Sequence, residues 1–419
     1  MLSRDPFLLS QPSNSDRTPF LLWGLTLFFI ASLLGLSMRV FWVMDLPHFE
    51  YTNVLHAHSH LAMLGWGFTV ICCLLIYFLK DHIQNFRTYR SLLLANTLGS
   101  LVMALAFVLK GYAIVSIALL IFHLLIAYAL GFILLKDLKK LPNKNAALLA
   151  RWAIYWMFIS TVGVWLLPIV IAKFGKLDPL YQASIEWFLH LQFNGWFIYS
   201  VLALLFLFLE RIGKDVKFTS LDFWALQLSL VLTYALPAYW SYPLPFLNML
   251  NSLGVLIQLL VFWRIISPFL TIFRIELVTK KNFGYGLIVL GLISLLVKIT
   301  IQASLIFSLF LAASSEVHNF FIGFIHLLML GVFTLTCLGI CSIQGLLPQN
   351  MLTRIGLATL ALGFLITEVI LFGQGLLEWS FQMTLPFYHE TLLVCTLLLP
   401  IGLALLIFSF LPAFKKVNV

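Results

Sequence analysis

Charge is what this chain has least of: 10% of its 419 residues are Asp, Glu, Lys or Arg, while 62% are apolar. A soluble domain is nearer a quarter charged. So thin a supply cannot cover a surface with water, and lipid must cover most of the outside. Acids are scarcer than bases, 16 against 25, for a net charge of +9. Basic residues of a membrane chain collect on its cytoplasmic side, so this excess does not point to nucleic acid. Cysteine is sparse too. Cys72, Cys73, Cys337, Cys341 and Cys395 all sit in apolar runs, with no C-x-x-C among them. That spacing argues against a disulfide framework, a zinc site and a covalently attached c-type heme. A cleavable signal is not expected: residues 1–19 form a polar tail, and the apolar run from Phe20 has no small-residue cleavage site after it.

What is present is a series of apolar runs, each long enough to cross a bilayer as a helix. Twelve are expected, at 20–43, 56–79, 90–109, 113–135, 151–172, 182–209, 221–240, 246–268, 284–310, 317–343, 353–372 and 389–412. Charge divides their connections into two alternating sets. Arg4, Arg17, Lys80, Arg87, Lys136, Lys140, Lys144, Arg211, Lys214, Arg264, Arg274, Lys280, Arg354, Lys415 and Lys416 typify one. The other holds only Arg39, Lys110, Lys173 and Lys176, among the acids Asp45, Glu50, Asp178, Glu316 and Glu378. The bias toward one side predicts that both termini are cytoplasmic. The chain therefore reads as a cytoplasmic tail (1–19), one membrane domain (20–412) and a second tail (413–419), with no separate soluble domain. Many of the tryptophans, such as Trp23, Trp152, Trp240 and Trp379, suit an interfacial belt.

Of ten histidines, His48 and His82 fall in loops. His56, His58, His60, His123, His190, His318, His326 and His389 all lie on even-numbered spans, mostly toward the outer side. Ionisable groups are expensive in a bilayer and tend to mark function. Three of these histidines open a repeat: HLAMLGW from His60, HLQFNGW from His190 and HLLMLGV from His326. The repeats are four spans apart, so the fold expected is an all-α integral membrane protein of three pseudo-symmetric four-helix groups. Imidazoles at one depth on facing helices suit heme iron, bound from both faces. Gly65, Gly195 and Gly331 would permit close approach of a ring or a helix. A bare metal is the alternative, since copper and zinc also take imidazole. His56 and His60 share a helical face, and His58 points away from them.

HLAMLGWGFTVICCLLIYFL, FLHLQFNGWFIYSVLALLF and HNFFIGFIHLLMLG resemble the second, sixth and tenth helices of the catalytic subunit of the heme-copper oxidase and nitric-oxide reductase superfamily. The resemblance covers residues 20–412. It implies twelve helices in three groups of four and a low-spin heme b between His60 and His326. It also implies that His190 stands where the family binds copper. A second heme or metal would lie near His56, His58, His190 and His318. The sequence departs from the family at the seventh helix, where YALPAYWSYPLPF lacks the family's histidine pair, and at Phe324, which replaces the first histidine of H-x-H. Asn194 stands where some members have tyrosine. The copper set is therefore incomplete.

The resemblance implies a redox or gas-ligand protein handling oxygen or nitric oxide, in the cytoplasmic membrane. It would take electrons from a quinol or a cytochrome and could have further membrane subunits. Other readings are a heme or copper carrier or assembly factor, an NnrS-type nitric-oxide stress protein and an active terminal oxidase. Arg39 is a candidate partner for heme propionates. Glu186, four residues before His190, is a candidate to orient that ring. Lys298 and Glu368, both mid-span, are either proton-path residues or groups that pair or snorkel.

Overall fold

The computed structural model describes residues 19–83 and 85–411, and it is all helical, with no strand among the described residues. Twelve helices are long and apolar enough to cross a membrane. They are α1 (Phe20–Val40), α2 (Tyr51–His82), α3 (Phe86–Lys110), α4 (Ile114–Leu138), α5 (Lys144–Phe174), α6 (Pro179–Arg211), α7 (Ser220–Ser241), α8 (Pro245–Lys280), α9 (Phe283–Ser304), α10 (His318–Ile343), α11 (Met351–Phe381) and α12 (Tyr388–Phe408). The chain is a multi-pass membrane protein. The tails expected at 1–19 and 413–419, with Arg4, Arg17, Lys415 and Lys416, lie outside the described residues but for Pro19.

The starts of α3, α5, α7, α9 and α11 carry side-chain caps, from Asn85, Asn143, Thr219, Asn282 and Asn350. Each cap satisfies a backbone N–H that has no partner inside its helix. Thr219 and Asp222 cap each other, and Arg264 adds an ion pair to Asp222 at 2.9 Å. Hydropathy misplaced several ends. α2 begins at Tyr51 rather than 56, α8 runs to Lys280 rather than 268, and α11 runs to Phe381 rather than 372. α8 passes through Pro268 and continues as a charged helix, where Glu276 meets Lys214 at 3.8 Å. The apolar window ends where charge begins, but the hydrogen-bond ladder does not. α9 does the reverse, stopping at Ser304 although apolar residues continue, and a separate short helix, Ser308–Glu316, leads into α10.

Burial sorts the helices into two shells. The apolar windows of α2, α6 and α10 are 89%, 94% and 67% buried, and no other exceeds 56%. These three form the core and touch one another along their second halves. Trp66 of α2 donates from Nε1 to Thr334 Oγ1 of α10 at 3.1 Å. Phe197 of α6 meets Phe333 of α10 with centroids 5.0 Å apart. Arg211 of α6 stacks over Tyr77 of α2 and donates to Gln344 beyond α10, which also accepts from Tyr77. Cys72, Cys73, Cys337 and Cys341 are buried in α2 and α10, with no disulfide among the described residues.

Candidate functional site

The three repeat motifs share a backbone feature. Immediately after His60, His190 and His326 the helix widens into π-helix, over Leu61–Gly67, Leu191–Phe197 and Leu327–Leu335. Such segments are rare and concentrate at functional sites. Two of the three motif glycines also play matching parts. A Cβ on Gly65 would meet Leu27 of α1 at 3.5 Å, one on Gly195 would meet Trp156 of α5 at 2.6 Å, and one on Gly331 would meet Ser294 of α9 at 2.7 Å. At Gly195 and Gly331 the glycine lets its core helix sit close to the helix before it, whereas at Gly65 that contact is an ordinary one.

The histidines of α2 point in two directions, as residues two apart on a helix must. His58 turns to α1, where its Nδ1–H donates to the Ala31 carbonyl at 2.8 Å. That bond leaves Nε2 as the free nitrogen. His326 of α10 has both His58 and Arg39 of α1 close enough to be felt as charge. It has no hydrogen-bond partner among the described residues, and Arg39 has no ion pair there either. His58 and His326 are half-buried. So two imidazoles with free nitrogens and one cation without an ion pair, on α1, α2 and α10, lie within electrostatic range of one another.

His60 faces the other way. Its Nδ1–H donates to the His56 carbonyl at 2.7 Å, and its ring stacks on Phe107 of α3 with centroids 4.7 Å apart. Its Nε2 accepts from the Tyr112 hydroxyl, at 3.4 Å, in the turn between α3 and α4. The His56 ring lies 6.2 Å from that of His60 and 4.7 Å from that of Tyr112. His123 of α4 is buried nearby, bonded through Nδ1 to Asn96 Oδ1 at 2.7 Å.

His190 occupies a third region. Its Nε2–H donates to the Leu230 carbonyl of α7 at 2.9 Å, and its Nδ1 faces Asn194 Nδ2 at 3.5 Å. Asn194 Oδ1 in turn accepts from Lys298 Nζ of α9 at 2.5 Å. Lys298 is 1% exposed, so it pairs inside the protein and does not snorkel. A small cavity beside it is lined by Asn194, Tyr199, Gln258 and Lys298. Glu186 accepts from Gln182 at 2.8 Å, and the His190 ring is bonded to Leu230 and Asn194. His318 is exposed at the head of α10, stacked on Phe321, and His389 stacks on Trp42 with centroids 5.0 Å apart. Glu368 is 7% exposed, and neither of its carboxyl oxygens has a partner among the described residues. Phe364 and Phe372, one turn to either side of it, pack on Gly331 and Gly323, which puts Glu368 at the level of His326.

Among the described residues no three of His, Cys, Asp or Glu converge as a metal set. Sequence reasoning missed Tyr112, which no motif marks, and the π segments, whose one visible trace is the repeated H-L-x-x-x-G. No family model matches the chain, and no curated protein matches it.

Proposed function

We propose that this is a heme-b-binding membrane protein with a redox or gas-ligand role, related in plan to the oxidase and nitric-oxide reductase subunit that its motifs resemble. The supporting observation is that His58, His326 and Arg39, from three helices, lie within electrostatic range of one another. His326 and His58 would supply the two axial imidazoles, and Arg39 would neutralise a propionate. The donor set suits the group: the Nδ1–H bond of His58 to Ala31 leaves Nε2 free, and the His326 ring has no competing partner. Such an iron supplies one-electron transfer, or binds a diatomic gas where one axial ligand gives way. His60 is the ligand expected from the motif, but its free nitrogen lies against Tyr112. The three π segments support a plan of three related four-helix groups, and the distribution of Lys and Arg supports cytoplasmic termini. In that plan the protein sits in the cytoplasmic membrane and takes electrons from a quinol or a cytochrome.

The test is the absorption spectrum of the purified protein, oxidised and dithionite-reduced, beside His58→Ala, His60→Ala and His326→Ala. The expected result is the sharp reduced spectrum of a six-coordinate b heme, lost in His58→Ala and His326→Ala and kept in His60→Ala. Loss in His60→Ala with retention in His58→Ala would return the axial role to His60. A colourless protein from heme-replete cells would overturn the proposal.

A further inference from the structure

The opposite face of α2 carries a different set of donors. We propose that His56, His60 and Tyr112 form a site for a late first-row divalent cation, Cu²⁺ before Zn²⁺, at the end of the bundle where α2 begins. The inference rests on the heme reading only in leaving His60 free of iron.

His56 and His60 are one helical turn apart, so both project from one face. The Nδ1–H of His60 is engaged by the His56 carbonyl at 2.7 Å, so Nε2 carries the outward lone pair. A backbone carbonyl in this role is what usually holds a metal-binding imidazole in its tautomer. Phe107 stacks on the ring at an interplanar angle of 17° and holds its plane. The His56 ring has no hydrogen bond among the described residues, so both its nitrogens are available. Two imidazoles on one ion, with metal–nitrogen bonds of about 2.0–2.1 Å, have centroids about 5–6 Å apart. Here they are 6.2 Å apart, within reach of a small rotation.

The third donor is placed by the backbone. Gly111 has φ +57°, which a side chain would resist, and a Cβ there would run into Asn53 Oδ1 of α2. The turn therefore docks on α2 one helical turn before His56. Ser116 secures it, accepting from the Ala113 N–H at 2.9 Å and donating to the Gly111 carbonyl at 2.5 Å. The result sets the Tyr112 ring 4.7 Å from that of His56, with its hydroxyl 3.4 Å from His60 Nε2. On binding, the hydroxyl would release its proton to solvent, and the phenolate oxygen would take the position facing His60 Nε2. Imidazole nitrogen with a phenolate oxygen favours Cu²⁺ over Zn²⁺ and over the earlier first-row divalent metals. Tyr112 is 55% exposed, so an ion has an entry path and water can complete its coordination.

The experiment is a calorimetric titration of the chelator-treated, otherwise intact protein with Cu²⁺ and with Zn²⁺, alongside His56→Ala, His60→Ala, Tyr112→Phe and, as control, His82→Ala at the far end of α2. One equivalent should bind per chain, more tightly for Cu²⁺. Loss of an outer-shell partner costs roughly 10–100-fold in metal affinity, so each histidine variant should lose at least that. Tyr112→Phe should abolish the phenolate-to-copper absorption band, and His82→Ala should change nothing. Absence of saturable binding to the wild type, or binding indifferent to both histidine variants, overturns the site. Should a variant fail to fold, electron paramagnetic resonance of the copper-loaded wild type decides: splitting from two imidazole nitrogens is expected, and its absence overturns the site. A colourless protein that binds one copper here would sink the heme reading and keep this one. A red protein that loses its heme in His60→Ala would sink this one.

Discussion

A Cβ placed on Gly35 of α1 would stand 2.9 Å from Cε1 of His58 on α2. The missing side chain is what lets that imidazole lie against α1 and reach the Ala31 carbonyl. Gly35→Val should therefore push the ring aside and remove the heme spectrum while the protein still folds. Gly24→Ala on the same helix meets Trp66 only at an ordinary 3.4 Å and should leave the spectrum unchanged. Heme content per chain and the reduced spectrum of the two variants check this.

Lys298 and Asn194 form a buried pair across α9 and α6. Removing the acceptor leaves the buried Lys298 amine unsatisfied, at a cost of about 1–3 kcal/mol. Asn194→Leu should cost on that order, and Asn194→Leu with Lys298→Met should recover most of the loss. Unfolding titrations in detergent on both singles and the double give the coupling. If the effects simply add, the pair does not hold α9 to α6.

Gly67 and Phe197 meet where α2 and α6 leave their π segments. A Cβ on Gly67 would be 2.6 Å from Phe197 Cε1, and Phe197 itself packs edge-to-face on Phe333. The ring has nowhere to go, so Gly67→Ala should destabilise by about 1–3 kcal/mol, the usual cost of overpacking. Adding Phe197→Leu should return much of it. Thermal melting of the single and double variants checks the prediction.

Glu368 has two buried oxygens with no partner. An unsatisfied buried polar group costs about 1–3 kcal/mol. Glu368→Met should therefore raise the melting temperature, and a protein kept for its stability alone would lose nothing else. A more stable variant with altered reduction kinetics of the heme would mark Glu368 as a functional carboxyl at the level of His326.

The membrane domain was legible because lipid imposes a simple rule, that each crossing needs an apolar window. The twelve windows and the helices α1–α12 correspond one to one. Helix ends were less legible. α8 continues past Pro268 into charged sequence because backbone hydrogen bonding does not stop where hydropathy does. At the candidate sites, period alone separated His58 from His56 and His60. Period could not say which face meets α10. Tyr112 was invisible, being set over α2 by one positive-φ glycine and its contact with Asn53.

Composition and the order of apolar and charged residues were enough to establish a twelve-helix membrane chain with histidines on alternate helices, since solvation acts on each segment locally. Which histidines become neighbours is a different kind of fact. It depends on how α1, α2 and α10 rotate against one another, and that follows from close contacts such as Gly35 on His58 and Trp66 on Thr334. Those contacts join residues far apart in the chain, and no local rule of solvation or helix period encodes them.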